Sequence, residues 1–197
     1  MQHWPWYLLI DESFLCVETV DHLYGGATAM GQAMRRRIGQ WTSLPVCAGF
    51  GESKTLAKLA NHLAKKNLVF DGVCDLTALT DEERQQWMAK IEVGEVWGVG
   101  RRIAARLQTM GIRSVLDLAT ADLKLIRRQF GVVLERTASE LLGTSCLELD
   151  DLVDPKKQIM ASRSFGEMVY DLAELGEAVA WHIARAAEKL RDQGSVA

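Results

Sequence analysis

Residues 48–66 read AGFGESKTLAKLANHLAKK, and their reading decides how the first part of the chain folds. A short apolar run ends in glycines and passes straight into a helical pattern. Leu56, Leu59, Ala60 and Leu63 recur on one face, while Lys54, Lys58, Lys65 and Lys66 lie mostly elsewhere. A strand, a glycine turn and a helix opening on Lys54–Thr55 invite comparison with a phosphate-binding loop, whose template is Gly-x-x-x-x-Gly-Lys-Thr. Ala48 and Ser53 stand where that template has its glycines. Without them, successive amides do not turn together toward phosphate. A nucleotide-hydrolysing loop is therefore rejected. The helix start with its lysines still suits an anionic phosphate chain.

Working outward, residues 7–20 alternate and read as strand, 27–42 as an amphipathic helix, and GVCDL (72–76) as a short strand. The order expected to about residue 77 is β-β-α-β-α-β, a sheet with helices on a face. After Thr80 the texture changes. DEERQQWMAKI (81–91) opens with an acidic first turn and should be a helix. Short helices punctuated by Gly98, Gly100, Gly111, Gly131 and Gly143 follow, as a separate small helical unit. TSCLELDDLVDPKKQ (144–158) is an acidic connector, IMASRSFGEMV (159–169) reads as a strand, and ELGEAVAWHIARAAEKLR (174–191) as a long helix. One strand and one helix cannot bury both their apolar faces, so the last unit looks incomplete.

Two stretches carry the chemistry. In VWGVGRRIAARLQTMGI (96–112), Gly98 and Gly100 permit a tight hairpin before a helix whose Ile103, Ala104 and Leu107 face inward. Ile103 stands at the third glycine position of a dinucleotide fingerprint, which makes that reading poor. A helix-hairpin-helix fits better: exposed amides at a helix start hold a DNA phosphate without reading sequence, and Arg101 and Arg102 add charge. An αα-hairpin that only packs has no need of paired arginines there. The second stretch is IDESF (10–14), where Asp11 and Glu12 follow a bulky apolar run. Adjacent carboxylates in a strand point to opposite faces and converge only where the strand ends. There, carboxylate oxygens suit hard divalent cations. His62 and His182 have no partner spacing and read as structural, and Trp41, Trp87, Trp97 and Trp181 read as core or packing faces.

The chain has 197 residues and a net charge of −3, but the charge is unevenly placed. Residues 101–136 hold eight basic and three acidic groups, and residues 137–177 hold three basic and nine acidic ones. A basic middle beside an acidic stretch suggests one face for a polyanion. The four cysteines have no metal-ligand or disulfide-framework spacing, which fits a reducing cytosol. MQHWPWYLLIDES lacks a basic signal-peptide start, and no apolar run approaches the roughly 20 residues of a membrane span.

Taken in order, IDESF, GFGESKTLAKLANHLAKK, GVCDL, VWGVGRRIAARLQTMGI and SRSFGE form a set that resembles the Y-family translesion DNA polymerases. The likeness runs from residue 7 to about 193 and is strongest to the UmuC-type branch, through KTLAKLANHLAKK, VWGVGRRI and VVLERTASEL. It implies an α+β fold with a partial palm sheet and helices over 1–77 and a helical thumb with the helix-hairpin-helix over 78–145. A linker over 146–160 and the beginning of a little-finger domain over 161–197 complete it. It further implies Asp11 as a metal-binding aspartate, Glu12 as the neighbouring catalytic glutamate and Lys65 as a contact to the incoming triphosphate. Gly98, Val99, Gly100, Arg101 and Arg102 would hold DNA backbone, and Ser164 and Gly166 would lie in the strand that begins the little finger's DNA contact. Mg²⁺ would be the cofactor. DNA, a UmuD-type accessory subunit and the recombinase filament would be the partners, in SOS repair in the cytoplasm.

The departures carry equal weight. Leu9 replaces the family's serine before Ile-Asp-Glu, Cys16 replaces an aspartate, and MQHWPWYLLI contains no acid. Two-metal chemistry sets ions about 3.5–4 Å apart and needs several carboxylates. The expectation is a polymerase chain truncated at both ends that does not polymerise alone. The alternative is a non-catalytic DNA-binding or subunit-interaction module.

Overall fold

The computed structural model describes residues 6–8, 12–146, 158–192 and 194. The chain divides into two compact units, 1–150 and 151–197.

In the first unit, β1 (Trp6–Leu8) pairs antiparallel with β2 (Ser13–Leu15), with Tyr7 opposite Phe14. The element order to residue 75 is the expected β-β-α-β-α-β, with the alternating stretch over 7–20 supplying both β1 and β2, three residues each. Beyond β2 the chain turns into a 3₁₀ segment, Asp21–Tyr24, ended by Gly25 at φ 84°. Helix α1 (Ala27–Thr42) follows. Next, β3 (Ala48–Phe50) crosses through α2 (Lys54–Lys66) to the parallel strand β4 (Val73–Asp75), with Gly49 opposite Cys74. The described strands form two separate pairs rather than the single sheet expected.

The glycines of the strand-to-helix turn serve close packing. A Cβ on Gly49 would overlap the Asn61 amide and the Ala57 carbonyl, and one on Gly51 would lie 2.7 Å from Leu56 Cβ. They let α2 lie directly on β3. Ser53 caps α2 by accepting the Leu56 N–H at 3.1 Å.

Helices α3 (Asp81–Lys90), α4 (Arg101–Thr109), α5 (Val115–Ala119), α6 (Leu123–Phe130) and α7 (Val132–Leu141) complete this unit. Thr80 and Glu83 form a capping box on α3, as Ser114 and Asp117 do on α5. One buried cluster runs from Leu56, Leu63 and Leu76 through Val93 and Leu107 to Leu118, Ile126 and Leu141. The segments on either side of α4 are tied together: Val93 N–H donates to Arg113 O at 2.8 Å, and Val115 N–H to Ile91 O at 2.9 Å. This clasp fixes where α4 begins.

In the second unit, residues 158–171 form no strand, contrary to the expectation for IMASRSFGEMV. A strand needs a partner for its backbone groups, and the described residues of this unit offer none. Helix α8 (Leu172–Asp192) follows as expected. The connector expected at 144–158 falls mostly outside the described residues.

Candidate functional site

Helix α2 sets the site. Its apolar face is buried on β3 and β4, so the positions rotated away from it line a cleft of about 280 Å³. Lys58, His62 and Lys65 from α2 enter this cleft, together with Glu12, Glu95 and Trp97. Thus the structure brings two expected site residues, Glu12 and Lys65, to one place. Asp11 lies outside the described residues.

Both carboxylates of the cleft already have partners. Lys58 Nζ stands 2.7 Å from Glu12 Oε2 and 4.7 Å from the centre of the Trp97 ring. Phe14 on β2 leans against the same indole, with ring centres 5.8 Å apart. His62 Nδ1 lies 3.5 Å from Glu95 Oε2, so this histidine has a partner that sequence spacing does not reveal. Lys65 is exposed and makes no salt bridge among the described residues. Trp87 packs at the core's edge against Phe70, whereas Trp41 and Trp181 stand exposed.

Magnesium asks for several oxygen ligands free to face it. Both carboxylates in the cleft already face side chains of α2, Glu12 the Lys58 ammonium and Glu95 the His62 imidazole. No group of three or more His, Cys, Asp or Glu side chains among the described residues is placed to hold a metal. The described residues therefore do not fit a magnesium pair.

The hairpin stands beside Trp97. A 3₁₀ turn at Val93–Glu95 leads to Gly98, at φ 85°, and Gly100 is the N-cap of α4. A φ of this sign suits glycine. Gly100 contributes no side-chain cap, and the first bond of the helix is Ala104 N–H to Gly100 O at 3.0 Å. The amides of residues 101–103 are thus left for a ligand or water, in contrast with the capped starts of α2, α3 and α5. Arg101 and Arg102 are exposed, and neither makes a salt bridge among the described residues. Val99 is only 6% exposed, so its side chain anchors the turn in the core and its backbone alone can meet a ligand.

Sequence reasoning missed Glu140. It is fully buried on α7, and its carboxylate accepts from Thr55 N–H at 3.1 Å, from the Thr55 hydroxyl and from Cys146 N–H at 3.2 Å. The Ser53 hydroxyl donates to the Glu140 carbonyl at 2.8 Å. Glu140 thereby fixes the start of the helix that carries Lys58 and Lys65. Helical spacing gave no signal for it: Leu134, Ala138 and Leu141 share a face of α7, and Glu140 is turned roughly 100° or more away from each of them.

In the second unit, Ser164 and Gly166 are exposed in an irregular stretch. Ser164 lines a smaller cleft of about 210 Å³ with Arg163, Phe165, Trp181 and His182.

Comparison with known proteins places these pieces. The family model described as "impB/mucB/samB family" matches residues 5–62, its C-terminal domain matches 156–197, and "IMS family HHH motif" matches 81–112. Protein UmuC of Salmonella typhimurium is 45% identical over 93% of this chain and 43% of its own length. Protein MucB of Escherichia coli is 48% identical over 84% of this chain and 39% of its own. The chain thus spans about two fifths of these curated relatives. Among solved structures, the insertion ternary complex of Dbh DNA polymerase superposes with a TM-score of 0.51 at 21% identity, covering 68% of this chain and 37% of that one. That likeness concerns the fold alone.

Proposed function

The chain belongs to the impB/mucB/samB family, the UmuC-type branch of the Y-family DNA polymerases, and from that premise we propose that it serves error-prone translesion synthesis by holding primer–template DNA. The contact is the Gly98–Arg102 hairpin. The observation that carries this reading is the uncapped start of α4, with Arg101 and Arg102 exposed beside it. Three amides and the positive end of a nine-residue helix face outward there. Such a site grips phosphate and reads no base edge, so binding is sequence-independent and salt-sensitive.

Glu12 and Lys65 flank the cleft beside that hairpin. Lys65, exposed at its mouth, is the residue to meet an incoming triphosphate. The described residues supply no complete nucleotidyl-transfer site, so we assign the isolated chain backbone binding rather than synthesis. Asp11, Ser164 and Gly166 keep the roles the family suggests, as do a cytoplasmic setting and partnership with a UmuD-type subunit and the recombinase filament.

Fluorescence anisotropy with a labelled primer–template tests the proposal. Arg101→Ala/Arg102→Ala should weaken binding equally across sequences and lower the salt slope by about 2. Primer extension by the chain alone should give no product. Binding that is unchanged in the double variant refutes the hairpin assignment, and robust extension refutes the division of labour. Retention of a UmuD-type partner without any DNA binding would favour the subunit-interaction alternative.

A further inference from the structure

We propose that Lys58 is a built-in counterion for Glu12 in place of a divalent cation, and that through Trp97 it tethers the carboxylate segment to the backbone-holding hairpin. The ammonium has two partners on different segments. Glu12 Oε2 is at 2.7 Å, one residue before β2, and the Trp97 ring is at 4.7 Å, one residue before Gly98. The side chains of Lys58 and Glu12 are 21% and 34% exposed, so water screens the pair only in part. The backbone of Lys58 is held firm, because Leu56, Leu59 and Leu63 of the same helix are buried. Phe14 adds a second contact between β2 and the same indole.

Two consequences follow. A divalent ion approaching Glu12 competes with a cation that is covalently local and cannot diffuse away. When that ion displaces Lys58, the ammonium also leaves the Trp97 face, and the carboxylate segment loses its tie to the hairpin. Lys58 is thus a positioning residue, acting through Glu12 and Trp97. The tether depends on the cleft geometry, and only its bearing on DNA holding by the hairpin rests on the function proposed above.

Titration of the full chain with Mn²⁺, reading free Mn²⁺ by electron paramagnetic resonance at low ionic strength, tests the competition. Lys58→Met should bind Mn²⁺ about fivefold more tightly than the parent, the scale of one partly screened ion pair. Lys58→Arg should behave as the parent, and Lys58→Met/Glu12→Gln should lose the gain. An unchanged or weaker affinity in Lys58→Met, or a gain that survives Glu12→Gln, overturns the proposal. Should Lys58→Met fail to fold by circular dichroism, Lys58→Gln reads the same competition. Tryptophan emission, compared with Trp97→Phe as blank, should shift between the parent and Lys58→Met; no Trp97-dependent shift overturns the tether. DNA binding by Arg101→Ala/Arg102→Ala is a separate measurement, so failure of the hairpin reading and failure of the counterion are told apart.

Discussion

The two units use the same amphipathic grammar and reach opposite ends. In the first, Leu56, Leu63, Leu76, Leu107, Leu118 and Ile126 are at most 1% exposed, in a core built by α2, β4 and α3–α7. In the second, α8 is the longest helix described, and none of its residues is buried. Its apolar stripe, Leu175, Val179 and Ile183, stands open along with Leu172 and Trp181. A helical stripe is only an offer to pack. It becomes core when topology brings a second layer to the same place.

The sharpest way to break this comparison is to cut the core on one side and the stripe on the other. Leu107→Ala should cost about 2–5 kcal/mol in urea unfolding, whereas Val179→Ala should stay within about 0.5 kcal/mol. Equal losses would show that α8 is packed in solution. Next in size, Glu140→Ala strips the Thr55 and Cys146 donors of their buried acceptor and should cost about 3 kcal/mol. Glu140→Gln keeps an acceptor oxygen and should cost clearly less. A result in which the two variants behave alike would remove the capping role of Glu140.

A smaller effect comes from the cap on α5. Ser114→Ala should lower stability by about 1 kcal/mol and loosen the clasp below α4. The acid limb of unfolding sharpens the same point. Backbone N–H groups of Ser114 and Arg113 donate to the Asp117 carboxylate and hold its pKa below the ordinary 3.8. A folded pKa below the unfolded one gives stability that is present above about 3.8 and lost as pH falls through the lowered folded value. Asp117→Asn should flatten stability over that window and leave α8 helicity at neutral pH unchanged, as followed by circular dichroism.

Much of the first unit was legible because its signals are local. The stripe of Leu56, Leu59, Ala60 and Leu63, the acidic first turn of α3, and Gly98 and Gly100 before Arg101 each act within one or two turns of chain. What sequence left open was non-local. The strand order was legible, but which strands pair was not: β1 joins β2 and β3 joins β4 as two separate pairs among the described residues. SRSFGEMV has strand composition, but the described residues of its unit offer no strand to pair with. Glu12 and Lys58, His62 and Glu95, and Thr55 and Glu140 meet across 33 to 85 residues, and no periodicity encodes such meetings.

Sequence alone settled the helices, the glycine hairpin with its paired arginines, and the family those motifs spell, because backbone propensity and turn chemistry act over a few residues. Tertiary structure alone decided that Glu12 faces an ammonium, that Glu140 caps α2, and that the stripe of α8 stays open. Charge and burial depend on which distant segments are folded into the same few ångströms.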